Sequence, residues 1–336
     1  MPTPLSIYVA IRPDEYQLLY DEPTQQALAE LGTLTFATGG EATVEVPANV
    51  AHDFDVLITS WSTRPFDPSA LAGPRLKLAV HTAASVRALY PAETLGAGYR
   101  LAQGGAEAMA EAVAEMSVTM TLALLRNIVV HDRRFQASRD WHAGGNGLLG
   151  ESVRAQRVGL VSLSRVGRHY AQMMRGLGVT GMRAFDPYVS AEDAATLDVQ
   201  LCDLDELCAT SDVLSIHAPV TRETEGMIGA EQLALLRDGA VVVNTARSRV
   251  TDQDALLAEV KSGRLRAGLD VFDEEPLPAD SEFFGLDNVL LTPHIAGGTV
   301  QSRFAQGRTV LDEITRFFSS GELRFEVTAD NYHRLG

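Results

Sequence analysis

The stretch Val158-Gly-Leu-Val-Ser-Leu-Ser-Arg-Val-Gly167 joins a short apolar run to a turn of small residues, and a helical pattern follows it. The apolar run is typical of a buried strand. A strand, a turn of small residues and a helix in this order form the unit that holds the phosphates of a dinucleotide. Residues 158–167 therefore predict a dinucleotide-binding strand–turn–helix unit, and this unit sets the fold class.

The glycine pattern of this turn is incomplete. Ser162 and Ser164 stand where a phosphate loop carries its first two glycines, and only the third glycine, Gly167, is present. Glycines permit the tight turn and the close approach of the backbone to the pyrophosphate. A serine hydroxyl can donate to a phosphate oxygen, whereas its Cβ can crowd the pyrophosphate, and the sequence leaves both alternatives open. We expect cofactor binding to survive the serines in a weakened form.

An acidic residue follows the loop at a suitable distance. Asp186 ends the next predicted strand, 24 residues after Ser162. A carboxylate at this place binds the ribose 2′-hydroxyl and repels a 2′-phosphate. Taken alone, an Asp-Pro pair at the end of a strand is explained equally well as a turn or as a ribose-binding site. The motifs further along the chain favour the role in cofactor binding. The cofactor is therefore predicted to be NAD rather than NADP.

Strand-like and helix-like segments alternate along most of the chain, which predicts parallel, doubly wound sheets. The predicted strands are 6–11, 55–60, 76–80, 99–102, 157–161, 181–185, 199–201, 213–217, 240–245, 267–271 and 289–292. A helical pattern over 300–318 indicates that the chain returns to its first domain. We expect an α/β protein with two Rossmann-like domains, one flavodoxin-like and one dinucleotide-binding.

The length of 336 residues also favours two domains. The predicted substrate domain is discontinuous, 1–106 with 298–336, and the predicted NAD-binding domain is 107–297. We expect the cleft between them to close over nicotinamide and substrate and to exclude water.

The gross composition limits the class of partner. The formal net charge of −16 argues against a nucleic-acid or anionic-membrane surface. The N-terminus lacks a basic segment followed by an apolar core, and the apolar stretch 116–130 is interrupted by Arg126 and is too short to span a bilayer. Cys202 and Cys208 are not accompanied by the other residues of a metal site, so no metal is predicted. Two cysteines at this spacing favour a reduced, cytoplasmic protein.

Three ionisable residues occur in separate short motifs, each beside an apolar run. They are Arg247 in Asn-Thr-Ala-Arg, Glu275 in Asp-Glu-Glu-Pro and His294 in Thr-Pro-His. In an open parallel sheet, ligands bind at the carboxyl ends of the strands. An arginine grips a carboxylate with two hydrogen bonds, and a histidine beside a carboxylate exchanges a proton near neutral pH. This set is suited to interconverting a 2-hydroxy acid and a 2-oxo acid.

Each residue also has a structural interpretation. A lone histidine after a proline is more often a structural residue, and the functional reading of His294 depends on its order with Arg247 and Glu275. Asp273 or Glu274 takes the place of Glu275 if the register is shifted. His217 is expected to be a packing and cofactor-wall residue rather than a catalyst.

From residue 158 to 299 the chain resembles the D-isomer-specific 2-hydroxyacid dehydrogenases. Further motifs carry this resemblance, namely Asp212-Val-Leu-Ser-Ile-His-Ala-Pro219, Gly268-Leu-Asp-Val-Phe272 and Thr292-Pro-His-Ile-Ala296. The first 105 residues match only loosely, through 76–86. In that loop the family usually carries glycines where this chain has Ala83-Ala84-Ser85.

The resemblance implies roles for individual residues. Arg247 binds the substrate carboxylate and carbonyl, His294 is the acid and base, and Glu275 is the partner of the histidine. Ala84 and Ser85 hold the substrate carboxylate through their backbone amides. The implied cofactor contacts are Val113, Ser164, Arg165, Val166, Asp186, His217, Ala218, Pro219, Thr245, Ala246 and Asp270.

We therefore expect an NAD-dependent D-2-hydroxyacid dehydrogenase that acts on a small 2-hydroxy or 2-oxo acid and forms a homodimer. Two alternatives stay open. One is a catalytically weak NAD-sensing or interaction module, which the serines of the phosphate loop favour. The other is oxidation of a non-carbon substrate such as phosphite by the same three residues.

Overall fold

The computed structural model describes residues 4–40, 42–142 and 148–332. Its strands are β1 Leu5–Ala10, β2 Gly32–Phe36, β3 Val56–Thr59, β4 Leu78–His81, β5 Arg100–Gln103, β6 Val158–Val161, β7 Met182–Phe185, β8 Val199–Leu201, β9 Val213–Ile216, β10 Val241–Asn244, β11 Arg266–Leu269, β12 Val289–Leu291 and β13 Glu326–Val327. Its α-helices are α1 Pro13–Leu19, α2 Glu22–Leu31, α3 Val50–Asp53, α4 Gly105–Leu125, α5 Ile128–Ser138, α6 Arg165–Gly176, α7 Ala191–Ala195, α8 Leu204–Thr210, α9 Ala230–Leu235, α10 Gln253–Lys261 and α11 Val300–Ser320. Short 3₁₀ turns lie at Pro68–Leu71, Ala92–Thr94, Val153–Ala155 and Ser248–Val250.

The chain divides into two compact units by its internal contacts. Unit 1 is Met1–Met109 with Gly298–Gly336, and unit 2 is Ala110–Gly297. The first boundary lies three residues beyond the predicted 106, inside helix α4, and the second coincides with the predicted return at 298.

The sheet of unit 1 has the strand order β13-β5-β4-β3-β1-β2. All neighbours are parallel except β13 and β5, which are antiparallel. Order 2-1-3-4-5 is that of flavodoxin-like sheets. Helix α11 covers one face, where Val310 and Ile314 are fully buried. A Cβ on Gly307 would lie 2.1 Å from the carbonyl oxygen of Leu19, so only glycine lets α11 approach α1 this closely.

The sheet of unit 2 is entirely parallel and has the order β12-β11-β10-β9-β6-β7-β8. The chain starts at β6, moves outward to β8 and then continues on the other side of β6 from β9. This reversal is the switch point at which dinucleotides bind in such folds. The central strands are buried on both faces, which is why Val241–Asn244 is a run of β-branched residues ending in one amide. The predicted α/β class with two doubly wound sheets is confirmed.

Among the described residues, one helix, α4, is long and apolar enough to cross a membrane, judged by length and composition alone. In its most apolar window, 44% of the residues are buried inside the protein, and the core helix of a soluble protein passes the same test. The absence of a membrane partner therefore stays a prediction.

Candidate active site

The polar residues singled out from the sequence in unit 2 follow the carboxyl ends of parallel strands. Ser162 follows β6, Asp186 follows β7 and His217 follows β9. Thr245, Ala246 and Arg247 follow β10, Asp270 follows β11, and Thr292 to His294 follow β12. Because parallel strands end at one edge of the sheet, the fold brings these residues to the same side of unit 2.

The backbone around Arg247 is fixed by a buried amide. Asn244, the last residue of β10, is 2% exposed. Its Nδ2 donates to the carbonyl of Arg247 at 2.9 Å, and its Oδ1 accepts from the N–H of Ala246 at 3.1 Å. The guanidinium of Arg247 donates from Nη1 to the carbonyl of Ala246 at 2.7 Å. The turn after β10 therefore holds the half-buried arginine side chain in a defined direction.

His294 and Glu275 form a direct pair. The Nδ1 of His294 lies 2.7 Å from Oε2 of Glu275, and their side chains are 49% and 36% exposed. The other carboxylate oxygen, Oε1, accepts from the N–H of Phe272 at 2.9 Å. The pairing orients the imidazole so that Nε2, which has no hydrogen-bond partner among the described residues, is left for another group. Asp273 and Glu274 are exposed neighbours, so the sequence register that selects Glu275 agrees with the geometry.

Asp270 anchors the turn that carries His294. It is fully buried. Its Oδ1 accepts from the hydroxyl of Thr292 at 2.5 Å and from the N–H of Ile295 at 2.9 Å, and its Oδ2 accepts from the N–H of Ala296 at 2.8 Å. This turn places His294 at φ +53°, a backbone conformation that non-glycine residues rarely adopt. A buried carboxylate that accepts three hydrogen bonds fixes the direction of the histidine next to it.

The turn after β6 leads directly into α6. Ser164 caps this helix, accepting from the N–H of Gly167 and donating to the carbonyl of His217 at 2.9 Å. A Cβ on Gly167 would lie 2.3 Å from the carbonyl oxygen of Ser162, so glycine is required there. The first residues of α6 include Arg165 and Val166. The N-terminus of a helix of this length supplies backbone donors for a phosphate.

His217 lies beside this turn and does not act as an acid or base near neutral pH. Its side chain is 3% exposed, and burial lowers its pKa to about 3. Its ring contacts Tyr170 at a centroid distance of 4.9 Å. Neither ring nitrogen has a hydrogen-bond partner among the described residues. Ala218 and Pro219 follow directly in the chain, with Ala218 buried and Pro219 half-buried, and the cofactor contacts of these three residues stay a prediction.

Helix α4 contributes to the same unit. The hydroxyl of Ser117 lies 2.7 Å from that of Thr245, so the helix is attached to the turn that precedes Arg247. Val113 is half-buried one turn earlier on the helix. Sequence reasoning missed Ser117, Asn244 and the anchoring contacts of Asp270, since these contacts join residues that are far apart or buried.

Ala84 and Ser85 belong to unit 1 and follow β4. A Cβ on Gly105 would lie 2.5 Å from the backbone nitrogen of Ala84, so this loop packs closely on the start of α4. The buried Gln306 of α11 donates to the carbonyl of Thr82 at 3.0 Å. His81, which precedes the loop, is buried, and burial lowers its pKa to about 4, so it is neutral near pH 7. The loop is therefore held from two sides by its own unit.

No group of three or more His, Cys, Asp or Glu side chains that is able to hold a metal occurs within residues 4–40, 42–142 and 148–332.

A match to a protein family shows the family of this chain. The model described as D-isomer specific 2-hydroxyacid dehydrogenase, NAD binding domain, matches residues 118–296. The chain belongs to the D-isomer-specific 2-hydroxyacid dehydrogenase family. The resemblance found in the sequence motifs is thus confirmed, and so is NAD as the cofactor of this domain.

Individual members of the D-isomer-specific 2-hydroxyacid dehydrogenase family are also similar. A D-3-phosphoglycerate dehydrogenase of Archaeoglobus fulgidus is 37% identical over 202 residues, which cover 60% of this chain and 38% of that protein. A glyoxylate reductase of Korarchaeum cryptofilum is 31% identical over 280 residues, covering 79% of this chain and 80% of that protein. The structure of a D-2-hydroxyisocaproate dehydrogenase has a TM-score of 0.82 and 27% identity, and the match covers 96% of this chain and 99% of that one.

The chain spans only part of some relatives. It covers 57% of the D-3-phosphoglycerate dehydrogenase of Methanocaldococcus jannaschii, with 30% identity over 308 residues, as well as the 38% of the Archaeoglobus protein.

The residues of unit 2 fit NAD. The helix α6 N-terminus is available to a pyrophosphate, Asp186 stands at the end of β7, and the two ring nitrogens of His217 are buried without a partner in the described part of the chain. Buried polar atoms without a partner are rare in proteins and indicate a missing contact.

Proposed function

We propose that the protein is an NAD-dependent oxidoreductase that interconverts a D-2-hydroxy acid and a 2-oxo acid. The observation that carries the proposal is the 2.7 Å contact between His294 Nδ1 and Glu275 Oε2. It leaves Nε2 available on a half-exposed imidazole. An imidazole oriented by a carboxylate is a general acid and base near neutral pH.

The residues of unit 2 have distinct parts in this chemistry. NADH bound to unit 2 would supply the hydride for reduction of the 2-oxo carbon. His294 donates a proton from Nε2 to the carbonyl oxygen, so the products are the 2-hydroxy acid and NAD⁺. Glu275 stabilises the imidazolium before the transfer, and Arg247 binds the substrate carboxylate with parallel hydrogen bonds. In oxidation His294 accepts the proton instead.

Binding of the substrate carboxylate by the amides of Ala84 and Ser85 stays a prediction of the resemblance. The close packing of this loop on Gly105 and the hydrogen bond from Gln306 to Thr82 hold the backbone of the loop in place.

The test is a panel of 2-oxo acids with side chains of increasing size, assayed by loss of NADH absorbance, with chiral chromatography of the product. We expect at least one acid to be reduced to its D-hydroxy acid. A protein that binds NADH and reduces none of them supports the NAD-sensing module instead. NADH formation from NAD and phosphite supports the non-carbon substrate.

Replacing Glu275 with glutamine is expected to lower kcat for reduction by about tenfold. The amide keeps the size of the side chain but replaces the charged hydrogen-bond partner of His294 Nδ1 by a neutral one, and hydrogen bonds to charged groups are the stronger ones. The measurement is kcat for reduction of the same 2-oxo acid by the parent and the variant.

The matched control for this prediction is Asp273→Asn, which removes an exposed carboxylate nearby without touching the imidazole. Its kcat should equal that of the parent. If kcat of Glu275→Gln equals that of the parent as well, the proposed pairing of Glu275 with His294 during catalysis is wrong.

We further propose that two copies of the chain form a homodimer through helix α5. This helix has no buried residue, although Ile128 and Phe135 are apolar, and Trp141 just after it is 79% exposed. A helix of 11 residues is marginal without packing, and exposed apolar surface of this kind indicates an interface. Light scattering should give twice the chain mass. Phe135→Arg should give the monomer mass, while Gln136→Arg on the same helix should leave the mass unchanged.

A further inference from the structure

Ser162 adopts a backbone conformation that favours glycine. Its φ is +78°, in the left-handed region. Serine carries a Cβ that is strained there, whereas glycine is not. The position is the first of the phosphate loop, where the family motif has glycine. A residue that is strained by its backbone is retained when its side chain makes a compensating contact.

The side chain of Ser162 makes that contact with Asp186. The hydroxyl donates to Oδ2 of Asp186 at 3.0 Å and accepts from the backbone N–H of Ser164 at 3.2 Å. The N–H of Leu163 donates to the same Oδ2 at 2.8 Å. The hydroxyl hydrogen is thus used inside the protein, and the serine is neither a phosphate donor nor directed at the pyrophosphate.

These contacts fix the carboxylate of Asp186. Oδ2 accepts from Ser162 and Leu163, and Oδ1 accepts from the N–H of Tyr188 at 2.9 Å. Each carboxylate oxygen accepts about two hydrogen bonds. Oδ2 is therefore saturated, and Oδ1 keeps room for one further donor. Rotation of the carboxylate would break the contacts on both oxygens, so the free acceptor position has a fixed direction.

We propose that Ser162 is a positioning residue that holds Asp186 for the ribose 2′-hydroxyl and thereby sets the preference for NAD over NADP. The proposal rests on the proposed NAD-dependent function and on the role that the sequence predicts for Asp186, binding of the ribose 2′-hydroxyl. This role differs from both alternatives that the sequence left open, in which the serine either donates to a phosphate or crowds the pyrophosphate. Glycine would adopt the positive φ at this position without strain. Serine is strained there, but its hydroxyl connects the loop to Asp186 by a hydrogen bond.

Ser164 provides a matched control within the same loop. Its hydroxyl donates to the carbonyl of His217 and caps α6, and it makes no contact with Asp186. Ser164→Ala removes the same chemical group from the same turn. It is expected to lower thermal stability through the loss of the cap, but not to change the preference between the two cofactors.

The experiment is calorimetric titration of NAD and NADP into the full chain and its variants. In Ser162→Ala the dissociation constant for NAD should rise about tenfold, as expected for loss of a hydrogen bond to a charged group. NADP does not benefit from the acid, so the ratio of the NADP to the NAD constant should fall by a similar factor. In Ser164→Ala this ratio should stay within about twofold of the parent.

Two further variants separate the possible failures. Ser162→Gly removes the hydroxyl and the strain together, so it should fold at least as stably as the parent and still lose the preference. In an Asp186→Ala background, adding Ser162→Ala should change the ratio less than about twofold, because its target is gone. If Asp186→Ala narrows the preference but Ser162→Ala and Ser162→Gly both keep it, the inference is overturned and the role of Asp186 stands. If Asp186→Ala leaves the preference unchanged, both are overturned.

Discussion

Replacing His294 with alanine is expected to lower kcat for reduction by about a hundred- to ten-thousandfold, the usual contribution of a general acid. The reason is that Nε2 is the proton donor in the proposed reaction and no other ionisable group is assigned to this role. Binding of NADH should persist, because His294 is not among the proposed cofactor contacts. Steady-state kinetics and a separate NADH titration together measure these two effects.

The backbone of His294 calls for a second variant. At φ +53° alanine is strained, whereas asparagine tolerates the left-handed region. His294→Asn therefore preserves the turn and removes only the proton transfer, and it should be as inactive as alanine. Free imidazole in the buffer should restore part of the activity of His294→Ala. A parental rate in both variants would refute the mechanism, and the NAD-sensing module would then be the better proposal.

Replacing Arg247 with alanine is expected to lower kcat/KM by about a thousandfold, the effect of losing two hydrogen bonds to a charged group. Both KM and kcat should change, since in the proposed reaction the arginine binds the substrate carboxylate and also contacts the reacting carbonyl. Arg247→Lys keeps the charge but not the parallel pair of donors, so it should recover only a small part of the activity.

A neutral substrate analogue makes the Arg247 prediction specific. The parent should strongly prefer a 2-oxo acid over the corresponding 2-oxo amide, because only the acid offers a carboxylate to the guanidinium. In Arg247→Ala this preference should largely disappear. A variant that still discriminates between acid and amide as strongly as the parent would show that another group binds the carboxylate.

The main part of the fold follows from the sequence for a simple physical reason. Strands that are buried on both faces, such as Val241–Asn244, must be apolar over their whole length, and β-branched runs mark them clearly. The edge strand Gly32–Phe36 was not predicted, because it is mostly exposed and its polar threonines resemble a loop. The helical pattern from residue 105 to about 134 predicts one long helix, but the structure has two, α4 and α5. Asn127 adopts a left-handed conformation between them while the apolar pattern continues.

Only part of the candidate site could be predicted from the sequence. Arg247, Glu275 and His294 are recognisable because each stands just beyond an apolar strand. The residues that support them are not, since the contacts of Asn244 and Asp270 depend on the backbone path of each turn. Asp270 reaches N–H groups 25 and 26 residues further along the chain. The direction of the Ser162 hydroxyl likewise depends on its φ, which the sequence does not reveal.

The path of the chain has a consequence for its synthesis. Unit 2 is one continuous segment, whereas the sheet of unit 1 is complete only when Glu326–Val327 pairs with β5, and α11 covers that sheet only after residue 320. Proteins are made from the N-terminus, and domains fold as units as they emerge from the ribosome. The apolar face of the first 109 residues therefore stays uncovered while the whole of unit 2 is translated. We expect chaperones that recognise nascent chains to bind this early segment.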